Sequence, residues 1–168
     1  GDAPEGDPAD YVAPDVPDPG LPRVDLSLSM QEAYTPEVGS DDTQCFLVDW
    51  PEDAKKYVTG LAVTPGATSQ VHHALILVAG PATVPAFEAA AALSPGPGGG
   101  CPGGLVVGYT GWIGGWSPGW TAREMPEGTG QPVEPGSKLI LTVHYSVPSG
   151  EAVADTTRMD LMLDDEVD

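Results

Sequence analysis

Basic side chains are scarce in this sequence. Lys and Arg number 6 against 25 Asp and Glu, a formal net charge of −19 at pH 7. A surface of that sign repels phosphate backbones and anionic headgroups. It excludes nucleic acid as a partner and points to a solvated acidic exterior that gathers cations. Long apolar runs are missing too: no stretch approaches the roughly 18 residues that a membrane span needs. The start of the chain has no basic segment followed by an apolar one, which implies that any export signal has been removed. Cysteine is limited to Cys45 and Cys101, and histidine to His72, His73 and His144. Aromatic residues make up only 7%, whereas Gly 22 and Pro 19 are high, so strands and turns are expected rather than helices. At 168 residues the chain suits one domain, or one domain with a tail, long enough to bury a core.

Residues 1–22 alternate Pro4, Pro8, Pro14, Pro17, Pro19 and Pro22 with Asp2, Asp7, Asp10, Asp15 and Asp18. Such a segment lacks the apolar surface to order itself and reads as an extended Pro-rich N-terminal arm or linker. It serves as a spacer or docks on a neighbouring subunit. Residues 23–163 then read as a β-sandwich domain, and 164–168 as an acidic tail or the start of a linker. Val24 to Met30 alternates apolar and polar residues in a period of two. Gln44–Trp50, Lys56–Val63, Val71–Val78, Leu105–Tyr109, Leu139–Val147 and Thr157–Leu163 are further strands, several ended by Pro or Pro-Gly. Thr83 to Leu93 is the one helical candidate, with Thr83 as N-cap and Pro85 in the first turn. The expected fold is therefore all-β, an antiparallel sandwich or jelly roll with one short helix.

Cys45 and Cys101 stand 56 residues apart in turn-rich surroundings. They are either two buried thiols or a disulfide. The second fits an exported composition, and closing that loop stabilises by roughly 4 kcal/mol on the chain-entropy estimate. His72 and His73 head an apolar strand, where neighbouring side chains normally point to opposite faces. For both to reach one metal ion, the strand must begin irregularly, or the two rings must use different nitrogens. His144 shares a strand face with Ile140 and Thr142. A histidine there is either satisfied by a backbone carbonyl or is a ligand. Three neutral imidazoles suit Cu, Zn, Ni or Fe(II) rather than hard, oxygen-seeking cations.

In order, the chain presents Thr43-Gln44-Cys45 through Pro51, Tyr57-Val58-Thr59-Gly60, Val71-His72-His73-Ala74-Leu75-Ile76-Leu77 and a Cys loop. Met125-Pro126-Glu127-Gly128-Thr129-Gly130 follows, then Pro135-Gly136-Ser137-Lys138 leading into Leu139–Tyr145. From about Val24 to Leu163 this resembles the N-terminal domain of the copper type II, ascorbate-dependent monooxygenases. That is the family of peptidylglycine α-hydroxylating monooxygenase and dopamine β-monooxygenase. The resemblance implies a jelly-roll β-sandwich and a disulfide at Cys45 with Cys101 as partner. It also implies one copper ion on His72, His73 and His144, which in the family takes electrons from ascorbate and passes them to a second, oxygen-activating copper. Zinc is the alternative ion on geometry alone.

The departures from the family are specific. Its second domain, with a His-x-His pair and a Met ligand, is absent, and no histidine follows His144, so Met159 and Met162 cannot complete such a site. Ala79-Gly80 stands where the family has a further cysteine. No catalytic residue is assigned, and the chain is not expected to hydroxylate a substrate alone. The readings are the electron-transfer half of a larger enzyme whose partner is a missing second copper domain, a secreted or periplasmic copper carrier, or a structural protein that assembles with copies of itself. Trp112, Trp116 and Trp120 recur every four residues in a Gly/Pro-rich stretch expected to be loop. They either plug a sandwich edge or form an interface.

Overall fold

A computed structural model describes residues 20–94, 96–101 and 108–168. Residues 1–19 of the expected arm and residues 105–107 of the expected Leu105–Tyr109 strand lie outside the described residues; Gly108 and Tyr109 are not in a strand.

The chain forms the strands β1 (Leu26–Ser29), β2 (Asp41–Asp49), β3 (Lys56–Thr64), β4 (Val71–Ala79) and β5 (Gly99–Gly100). They continue as β6 (Gly111–Trp116), β7 (Arg123–Glu124), β8 (Gln131–Val133), β9 (Lys138–Ser146) and β10 (Arg158–Asp164), with one helix among the described residues, α1 (Val84–Ala91). All pairings are antiparallel. One sheet runs β1-β10-β3-β7 with β8 also on β3, and the other runs β5-β2-β9-β4-β6. The protein is an all-β sandwich.

Period-two alternation decides which side chains lie between the sheets. Phe46 and Val48 of β2, Ala74, Ile76 and Val78 of β4, and Leu139, Leu141, Val143 and Tyr145 of β9 face Val58 and Leu61 of β3 and Met159 and Leu161 of β10. The opposite face of the second sheet is apolar only at one end. There α1 lays Val84 and Phe87 over Cys45, Leu77 and Ile140. The helix is shorter than the Thr83–Leu93 segment anticipated, and Leu93 is almost fully exposed. Thr83 does occupy the N-cap, but its hydroxyl donates to the Gly80 carbonyl at 3.0 Å instead of accepting from the helix N–H groups.

The Trp-rich stretch differs from the expected loop. Gly111–Trp116 is a strand, paired with β4 from Ala74↔Trp116 to Val78↔Gly111. Its glycines permit close approach rather than preventing order. A Cβ on Gly115 would lie 2.8 Å from the Ala74 carbonyl oxygen, and one on Gly114 2.9 Å from Leu61 Cδ2 of the facing sheet. Trp116 packs against the core, Trp112 and Trp120 stay half exposed, and Arg123 stacks over the Trp120 ring at 4.7 Å. Cys45 and Cys101 form a disulfide that ties β2 to the loop after α1. Among the described residues no helix is long and apolar enough to cross a membrane.

Candidate metal centre

His73 and His144 are cross-strand partners on β4 and β9. Both project from the outer face of the second sheet, beyond the end that α1 covers. The register between these strands slips at this point: Val71 pairs with Tyr145 and His73 with His144, leaving His72 as an extra residue. Such a bulge breaks the alternation locally and re-aims the bulged side chain. This is the irregular strand start that two adjacent histidines require. His72 thereby turns to the same side as His73, while Val71 and Tyr145 remain in the core.

All three rings present the same atom. The Nδ1···Nδ1 separations are 3.2 Å for His72–His144, 3.3 Å for His72–His73 and 3.4 Å for His73–His144. No ring needs its Nε2 for the common point. The point equidistant from three nitrogens so spaced lies about 1.9 Å from each (the mean side over √3), close to the 2.0–2.1 Å of a zinc–imidazole bond. Three inward lone pairs repel one another unless a proton or cation lies between them. The residues present therefore fit a metal ion, and among the described residues this trio is the group of His, Cys, Asp and Glu side chains so placed.

Two surrounding features hold the trio. Thr43 of β2 is the cross-strand neighbour of His144, and Asp41, two residues earlier, lies on the same face. Its Oδ1 is in contact with His144 Nε2, which donates to it when Nδ1 is the bare nitrogen. A carboxylate behind a ligand histidine fixes the tautomer and strengthens the inward nitrogen as a donor. The hydrogen bond from His144, aided by favourable electrostatics from the His144 and His72 rings, holds the Asp41 carboxyl below the usual range. Burial, then the neighbouring His144 and His72 rings, lowers His73, so this ring resists protonation.

The second feature is buried. Asp155 is fully enclosed, and its carboxylate accepts from the Gly66 and Ala67 backbone N–H groups at 2.8 and 2.9 Å, from Tyr145 Oη at 2.9 Å and from Thr157 Oγ1 at 2.7 Å. Ser146 N–H donates to the Gln70 carbonyl at 2.9 Å. The turn leading into His72 and the residues following His144 are thus pinned to one another. Burial, then the Asp155 charge, pushes the Tyr145 phenol above its ordinary range, so it stays a hydrogen-bond donor.

Of the residues singled out in the sequence, the structure brings His72, His73 and His144 together and joins Cys45 to Cys101. Cys45 Sγ also lies 3.2 Å from Thr142 Oγ1, so the disulfide occupies the same sheet face, between the helix and the histidines. Of the three tryptophans, Trp116 packs against the core, whereas Trp112 and Trp120 are half exposed, with Trp112 Nε1 donating to the Gly114 carbonyl at 2.9 Å. Asp41 and Asp155 carry no signal in a chain with this many acidic residues; only their partners in the fold distinguish them. No protein-family model matches the chain, and no curated protein matches it.

Proposed function

We propose that this chain is a copper-binding domain that holds one ion between His72, His73 and His144. In this reading it is similar to the electron-transfer half of an ascorbate-dependent copper monooxygenase. The observation that carries the reading is the convergence of three Nδ1 atoms within 3.4 Å of one another on a solvent-facing part of the sheet. Imidazole nitrogens of this number suit copper, with zinc as the competing ion. Copper supplies a one-electron couple when bound. The chain's own residues supply three neutral donors, a bulge that aims two of them, and Asp41 to keep the third in the right tautomer.

His72 is exposed, which leaves the site reachable by a small reductant from solvent. Among the described residues no second ligand cluster accompanies the trio. The proposed role is accordingly electron relay or copper holding, with oxygen activation and hydroxylation left to a partner domain. The disulfide fits a life outside the reducing cytosol, in a secreted or periplasmic setting.

The test is metal uptake by the purified chain and by the triple variant H72A/H73A/H144A, followed by ascorbate addition under electron paramagnetic resonance. Wild type should take up one copper per chain, the variant none at that site, and ascorbate should bleach the Cu(II) signal. Equal uptake by both proteins removes the site. A bound Cu(II) that ascorbate leaves untouched removes the electron-relay role.

A further inference from the structure

We infer that Asp41 is a positioning residue that biases the three-histidine site toward divalent over monovalent ions. This rests on the metal-site reading above and names how that site is tuned. Asp41 begins β2 on the same sheet face as His144, and its Oδ1 meets His144 Nε2, on the side of the ring away from the convergent Nδ1 atoms. Its side chain is 76% exposed, and its only ion-pair contact among the described residues is with His144. No Lys or Arg is in ion-pair contact to neutralise it. Among the described residues neither His72 nor His73 has a carboxylate in hydrogen-bond contact, so the trio is asymmetric: one ring is backed by a negative charge and two are not.

Two effects follow from one contact. The first is tautomeric, because an acceptor on Nε2 leaves Nδ1 bare and pointing inward. It helps any ion equally. The second is electrostatic. A carboxylate one imidazole away attracts a doubly charged ion twice as strongly as a singly charged one at the same distance and dielectric. Asparagine separates the two effects, since its amide oxygen still accepts from Nε2 while the charge is gone. Alanine removes both.

The experiment compares wild type, Asp41→Asn and Asp41→Ala with Zn²⁺ and with Cu⁺. Each affinity is measured by competition with a chromophoric chelator, the Cu⁺ series anaerobically, and the copper midpoint potential is read separately. Removing such a partner typically costs 10–100-fold in affinity, so Asp41→Asn should lose about tenfold for Zn²⁺ while Cu⁺ stays within about threefold. The midpoint potential should then rise by about 59 mV for each tenfold of Cu²⁺ affinity lost selectively. Asp41→Ala should weaken both ions further. Because the side chain is exposed, both variants should keep the wild-type unfolding midpoint when metal-free, and a role in folding alone would leave the potential unmoved. Equal losses for the two ions in Asp41→Asn, or no loss for either, overturn the inference while the metal site stands. A wild-type chain that binds neither ion sinks the site itself and this tuning with it.

Discussion

The two faces of the second sheet use the same strands for opposite purposes. On β9, Leu139, Leu141, Val143 and Tyr145 point inward and are fully buried among apolar neighbours. Ile140, Thr142 and His144 point outward, and their surroundings change along the strand from helix, to disulfide, to solvent. The inner face holds the sandwich together by removing apolar area from water. The outer face contributes less to stability and so has room for chemistry at its uncovered end. A site placed there can be altered without dismantling the fold.

Substitutions that set one face against the other should separate these roles, and the inner face should give the largest effect. Leu141→Ala should cost about 2–5 kcal/mol in urea unfolding, against about 1 kcal/mol for Leu75→Ala on the half-buried outer face. Similar costs would mean that the faces are not energetically distinct. Replacing both cysteines with serine should cost about 2–4 kcal/mol. Any metal affinity of the proposed site should be largely kept under native conditions, because the sheet register rather than the bridge aligns the histidines. A parallel collapse of stability and metal uptake would show the bridge to be part of the site.

A smaller effect is expected from pH. His73 is lowered in the folded protein, so the unfolded chain takes up its proton first. The stability associated with the neutral ring is full above about pH 6.5 and is lost as pH falls through the folded value. Thermal midpoints of metal-free protein between pH 8 and 5 should therefore fall more steeply for wild type than for His73→Gln; equal slopes would remove this contribution. The smallest effect should come from Trp112→Ser, on the exposed side of β6, which should shift unfolding by no more than about 0.5 kcal/mol. A much larger loss would show that Trp112 is part of the packed structure and not its margin.

The regular strands were legible because period-two alternation is a direct record of burial: β1, β2, β3, β4, β9 and β10 all overlap segments that alternate or are uniformly apolar, although β2 starts earlier than its apolar segment, at Asp41. β6 was not legible, because Gly114 and Gly115 have no side chain to alternate and their reason for being glycine is a carbonyl and a leucine distant in sequence. The histidines were legible as a rare residue type on strands. Their common use of Nδ1 was not, since ring orientation depends on the bulge and on cross-strand register. Asp41 and Asp155 show the same limit. Among many carboxylates, what separates a solvated one from one backing a ring or clamping two segments is a partner elsewhere in the chain.

The bulge at His72 has a consequence for how such a site arises and disappears. Remove that one residue and Val71 and His73 become ordinary strand neighbours, one inward and one outward, matching Tyr145 and His144 opposite. The sandwich would keep its register, and the sheet would carry two facing histidines instead of three. Gaining or losing a single codon at this position would thus separate a chain with the three-histidine cluster from one without it. Nearly every other residue, and all of the fold's thermodynamic support, would be shared between them.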